Sequence, residues 1–147
     1  MLNQTKVNKT LIVVVILLIG LLLEACGSVS PVASADSPPA VIEALETVVN
    51  TKDVEAIVAL FAEDGQEVST WGTFAGSDRL RVSYGTLVRG HTMDIANIQA
   101  ENGSVLYDCY MLNREGQIVT GAKFKALVED GKIKSNTYVD SLPFTLK

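Results

Sequence analysis

The sequence predicts an α+β domain in which three N-terminal helices pack on one face of a strongly curved antiparallel sheet. Three observations carry this reading. Apolar residues recur at helical spacing in three segments between Ser37 and Val88, and four long strand-like runs fill His91 to Val139. Those runs are separated by Asn102-Gly103, Glu115-Gly116 and Asp130-Gly131, and Asn-Gly or Asp-Gly between apolar runs marks a tight hairpin because both favour positive φ. Helices followed by an antiparallel meander give an α+β layout.

Ser37 suits an N-cap and Pro38 the first helical position, where its missing N–H leaves nothing unpaired. Ile42, Leu45 and Val49 then share one helix face. Asp53 caps a second helix, which turns Val54, Ile57, Val58 and Phe61 inward and is expected to end near Asp64-Gly65. Val68–Phe74 reads as one short strand. A third helix starts at Ser77, with Leu80, Tyr84, Leu87 and Val88 as its apolar stripe. The strand runs are His91–Ala100, Ser104–Leu112, Ile118–Val128 and Lys132–Val139.

Ahead of this domain, Lys6 and Lys9 precede the unbroken apolar run Leu11–Leu23, the order of a secretory signal peptide. The run makes roughly 20 Å of helix against the roughly 30 Å of a hydrocarbon core, which is short for a membrane span. Gly27–Pro39 is small, polar and proline-bearing, a tether without periodicity. The chain of 147 residues thus divides into a signal peptide over 1–25, a flexible tether over 26–38, a domain over 39–141 and a tail over 142–147. The domain is long enough for one core without metals or disulfides. Its acidic balance, formally -5 for the whole chain with scattered basic residues, provides no footprint for nucleic acid. Cys109 lies in an apolar run and reads as a buried packing thiol. With His91 as the only histidine and no spaced carboxylate cluster, no metal or other cofactor is expected. Glycine-rich phosphate loops and nucleophile-elbow serines are likewise not found.

Leu23-Glu24-Ala25-Cys26-Gly27 resembles a bacterial lipobox, although Glu24 stands where a small or hydroxylated residue is usual. The resemblance implies a lipoprotein: a diacylglyceryl thioether on Cys26, cleavage before it, and an acylated N-terminus. The mature chain would be secreted across the cytoplasmic membrane and anchored by lipid on its outer side or on the outer membrane. An uncleaved anchor with an incidental cysteine is the alternative. Both place the domain outside the cytoplasm.

The domain itself resembles the SnoaL-like branch of the nuclear transport factor 2-like superfamily. The pieces that carry this are Asp53-Val54-Glu55-Ala56, Leu60-Phe61-Ala62-Glu63-Asp64, Thr73-Phe74-Ala75-Gly76 and Glu129-Asp130-Gly131-Lys132-Ile133, in family order from about Pro39 to Asp140. The resemblance implies a cone, a bent sheet wrapped around helices with an apolar pocket at the wide end. Members include ketosteroid isomerase-like and polyketide cyclase-like enzymes, dehydratases, and domains that only bind or dimerise, so the fold leaves function open.

Carried over from isomerase-like members, the place of the base falls on Ser69, with Glu67 two residues back on the same strand face, and the second acid falls near Lys123 or Phe124. The histidine of dehydratase-like members falls on Met93. None of Ser69, Met93, Lys123 and Phe124 can do those jobs at neutral pH. The expected pocket residues are Ser69, Trp71, Tyr84, Met93, Asp108, Tyr110 and Phe124. Asp108 faces the cavity if it alternates with Tyr110 and Leu112; it faces outward if Val105, Tyr107, Cys109 and Met111 form the inward set. Asp108, Asp94 and His91 are the remaining candidates for acid/base chemistry. Three functions follow in order: binding of a small, largely apolar ligand without catalysis, or a structural pocket filled by its own side chains; an isomerase-, cyclase- or dehydratase-type reaction on a pocket carboxylate; and homodimerisation or partner docking through the outer sheet face. A carboxylate or histidine at the cavity floor would favour the enzyme, an all-apolar cavity would favour binding, and an apolar outer sheet face would favour assembly.

Overall fold

The computed structural model describes residues 37–144; the expected signal peptide, Cys26 and most of the expected tether lie outside the described residues. Helix α1 spans Pro38–Thr51 and buries Val41, Ile42, Leu45 and Val49. Ser37 holds the N-cap position, but its side chain makes no capping bond. The helix stops at Lys52, which turns left-handed (φ 65°) and donates its N–H to the Val49 carbonyl. Asn50, in the last turn, donates to the Met93 carbonyl and accepts the Met93 N–H, both at 2.8 Å. That reciprocal pair fixes the end of α1 to the entry of the sheet.

Helix α2 covers Val54–Leu60, with the Asp53 carboxylate accepting the Ala56 N–H at 3.0 Å. It ends earlier than the sequence suggests. Phe61 is already extended (φ -86°, ψ 153°) and opens strand β1, Phe61–Ser69. Two constraints impose this. Phe61 pairs with Ile133, and a Cβ on Gly65 would lie 2.8 Å from the carbonyl oxygens of Ala62 and Ile133, so only glycine allows the strand to bulge there. The apolar spacing that placed Phe61 on the helix face serves equally well for the first inward residue of a strand.

Val68–Phe74 is not one strand but most of a hairpin. The chain reverses at Thr70-Trp71 and returns as β2, Gly72–Ala75, with Val68 paired to Thr73. The Ser69 hydroxyl accepts the Trp71 N–H at 3.2 Å, and Gly72 takes φ 131°. Helix α3, Ser77–Leu87, follows and buries Leu80 and Tyr84.

Strands β3 (Thr92–Glu101), β4 (Ser104–Leu112), β5 (Ile118–Glu129) and β6 (Lys132–Ser141) complete a six-stranded sheet of order β2-β1-β6-β5-β4-β3. Asn102-Gly103 (φ 47° and 79°) and Asp130-Gly131 (φ 49° and 70°) make the tight turns their sequences call for. The sheet is mixed rather than wholly antiparallel, because β1 runs parallel to β6, with Glu67 opposite Asn136. A parallel neighbour needs a long crossover, and β3 to β5 supply it. Irregular register at Ala96/Gln99, Lys123/Phe124 and Leu127/Val128 accompanies the curvature. The helices cover the concave face, where Ile42, Leu45, Val49, Ile57, Leu80, Val105, Ala126 and Ile133 form the fully buried centre.

Candidate functional site

Five strands and α3 line a cavity of about 160 Å³ beside this core. Alternation along each strand decides which residues reach it. On β4 the inward set is Val105, Tyr107, Cys109 and Met111; all but Val105 line the cavity. Phe124 comes from β5, Asn136 and Tyr138 from β6, Glu67 and Ser69 from β1, and Tyr84 from α3. Register aligns them in rows. Glu67 stands opposite Asn136, and Phe124 stands between Tyr107 and Tyr138. The Tyr107 and Phe124 rings stack at 5.9 Å, and Tyr138 meets Phe124 edge-on at 6.2 Å.

Four polar side chains, Tyr107, Asn136, Tyr84 and Glu67, adjoin one another in the lining. The Tyr107 hydroxyl donates to the Asn136 Oδ1 at 2.9 Å. The Tyr84 hydroxyl lies near both Asn136 and Glu67 and interacts with each. These four residues are almost wholly buried. Burial pushes the Glu67 carboxyl above its ordinary value, and the Tyr84 hydroxyl offsets only part of that. Burial likewise raises both tyrosines well above theirs, with the nearby Glu67 adding to it. The lining therefore gathers two tyrosine hydroxyls and an amide around a carboxyl whose charged form is disfavoured by burial.

Five residues expected at the pocket line it: Ser69, Trp71, Tyr84, Met93 and Phe124. Asp108 and Tyr110 do not, because β4 turns its odd-numbered residues inward. Asp108 sits on the opposite face, where its Oδ2 accepts from Asn97 at 2.7 Å and its Oδ1 lies 3.5 Å from the Lys123 ammonium. Asn97 occupies the β3 bulge at φ 53°, so this carboxylate ties an irregular edge to β5 rather than serving a ligand. Asp94 is exposed on β3. His91 lies outside the cavity, its Nδ1 3.3 Å from the Leu87 carbonyl, in an adjoining apolar groove of about 400 Å³. That groove shares Trp71, Leu87, Met111 and Thr120 with the cavity. Trp71, 81% exposed at the hairpin tip, thus stands at the junction of the two.

Sequence reasoning noted Glu67 only as a neighbour of Ser69 and passed over Asn136. For Glu67 the signal was present: it shares the strand parity of Gly65 and Ser69, a face that had to meet α3. Asn136, in a polar run on β6, carried no such signal. Among the described residues no cluster of three or more histidines, cysteines or carboxylates is placed to hold a metal. Cys109 is a free, buried thiol on the cavity wall, and burial pushes it up to about 12. Its alkylation by iodoacetamide near pH 8 is therefore expected to be at least about a hundredfold slower in the native protein than in urea. Equal rates would contradict the burial.

No protein-family profile and no curated protein matches the chain. Solved structures do. An NTF2-like protein of unknown function from Cytophaga hutchinsonii matches with a TM-score of 0.61 at 15% identity, over 71% of this chain and 89% of that one. A putative polyketide cyclase from Sinorhizobium meliloti matches at 0.59 and 13%, over 67% and 93%. A hypothetical protein from Catenulispora acidiphila with a ketosteroid isomerase-like fold, solved with trimethylamine, matches at 0.61 and 16%, over 72% and 88%. The chain has the nuclear transport factor 2-like, cystatin-like fold that its sequence resemblance implied.

Proposed function

We propose that this chain is a lipid-anchored, extracytoplasmic domain that binds a small, largely apolar molecule in the cavity and holds the molecule's one polar group at Glu67. The observation that carries the reading is a buried carboxyl in a cavity whose wall is mainly aromatic, thioether and aliphatic, with Asn136 and a few serine and threonine hydroxyls. Binding is favoured over catalysis because the nearby hydroxyls are already committed. Tyr107 donates to Asn136 and Tyr84 interacts with Glu67, so the two hydroxyls beside the carboxyl already have partners. The volume suits a ligand of about five or six water-sized groups. One structural neighbour was solved with a ligand of that scale, trimethylamine. The anchor rests on the Leu23-Glu24-Ala25-Cys26 order behind a signal-like apolar run.

Mass spectrometry of small molecules released from the purified full-length chain tests the pocket. The expected result is an apolar molecule lost from a cavity-filling Ala122→Leu variant, and an identical profile from that variant would contradict it. Radiolabelled palmitate tests the anchor: Cys26→Ser should take up none, and equal uptake would refute acylation there.

Glu67 itself favours a second reading, proton transfer. A cavity carboxylate was the feature expected to separate an enzyme from a binder, and it is Glu67 rather than Asp108 that stands there. On this reading Glu67 removes a proton beside a ligand carbonyl and returns it. Deuterium exchange into small ketones, present in the wild type and lost in Glu67→Gln, would establish it.

A further inference from the structure

The charge of the cavity narrows the ligand further. Its lining contains one carboxyl and no lysine, arginine or histidine. The chain's single tryptophan, three of its four tyrosines and one of its four phenylalanines are gathered there. Aromatic faces carry negative potential and attract cations, and a carboxylate among them adds a full charge. The groups facing Glu67 from the elements packed on it are Tyr84 on α3, Tyr107 and Cys109 on β4, and Asn136 on β6, none of them cationic. A buried carboxyl without a cationic partner destabilises a protein, so either it keeps its proton or a ligand supplies the missing charge. An anionic ligand would meet Glu67 with nothing to neutralise it.

We infer that the cavity takes a small organic cation, an alkylammonium seated between Glu67 and the aromatic wall of Tyr107, Phe124 and Tyr138. The inference rests on the binding reading above and specifies its ligand class. Burial in the empty cavity disfavours the charged form of Glu67. A cation seated beside it favours that charged form, so its entry is coupled to proton release, and the ion pair forms where water is excluded and attraction is strong. Binding is thereby linked to pH: affinity rises as pH rises toward the midpoint of Glu67 in the empty protein and levels off above it. The acidic chain favours approach of a cation. Methyl groups on the nitrogen suit the wall better than a bare ammonium, because they need no hydrogen-bond acceptors beyond the one carboxylate.

Choline and 3,3-dimethyl-1-butanol have nearly the same shape and differ in the charge of one central atom. Calorimetric titration of the full-length chain in lipid nanodiscs with each, in two buffers of different ionisation enthalpy, tests the inference. Choline is expected to bind at least about tenfold more tightly than the neutral alcohol, with net proton release. In Glu67→Gln, choline should lose that advantage and the alcohol should keep its affinity. Phe124→Leu, which keeps the carboxylate and leaves the wall apolar, should weaken choline more than the alcohol and serves if Glu67→Gln does not fold. If the alcohol binds as tightly as choline or more so, the cation is refuted while the apolar pocket stands. Binding of neither overturns both readings.

Discussion

Glu67→Gln should remove a fall in stability with rising pH that the wild-type domain displays. The sign follows from where the proton resides. Below the ordinary glutamate value of 4.5 both folded and unfolded chains hold it. Between 4.5 and the raised native value, the folded chain holds a proton that the unfolded chain has lost. The unfolded state then binds fewer protons, so stability declines as pH rises across that window and levels off beyond it. Glutamine preserves the shape and can still accept from Tyr84, but it has no proton to lose. The variant should match the wild type near pH 4 and be at least as stable at pH 7. Urea unfolding at a series of pH values checks this; a variant less stable at pH 7 would show that Glu67 is ionised and compensated in the native state.

The largest effect on folding is expected from Leu45→Ala. Leu45 is fully buried at the centre of α1, among the residues that join the helices to the concave sheet. Truncation removes transfer free energy and leaves a cavity that a sheet held by six paired strands relaxes around only in part. The expected loss is about 2–5 kcal/mol, read from denaturant midpoints at constant slope. For a domain of this size that is a large share of total stability. A loss under about 1 kcal/mol would mean that α1 is not packed as described.

The helices were legible because their apolar residues follow a period that strands do not share, and the hairpins because Asn102-Gly103 and Asp130-Gly131 need the positive φ that the turns adopt. The end of α2 was not legible, since Phe61 satisfies both a helix stripe and a strand entry, and contact with Ile133 decides between them. The Thr70-Trp71 reversal was hidden for a related reason. Its turn depends on the Ser69 hydroxyl and on Gly72, neither of which is a strong hairpin signal. Parallel pairing of β1 with β6 joins residues about seventy positions apart, which no local pattern encodes.

At the candidate site the division is similar. Trp71, Tyr84, Met93, Ser69 and Phe124 could be placed at a pocket from strand and helix phase. The face of β4 could not be chosen from sequence, because Val105-Tyr107-Cys109-Met111 and Leu106-Asp108-Tyr110-Leu112 are both rich in apolar side chains. The structure turns the first set inward and buries Asp108 on the other face against Asn97 and Lys123. Glu67 was legible as a position but not as a group with altered chemistry. Its environment is made by Tyr84 from a helix and Asn136 from the last strand, both remote in sequence.

Glu67 is a buried, cavity-facing carboxyl whose charged form is disfavoured by burial and favoured by a bound cation. Carboxyl-resolved NMR titration of the ligand-free chain tests this most directly, with Glu67→Gln assigning the signal. The Glu67 midpoint is expected above 4.5, because burial disfavours the charged form. A midpoint at or below 4.5 would contradict it.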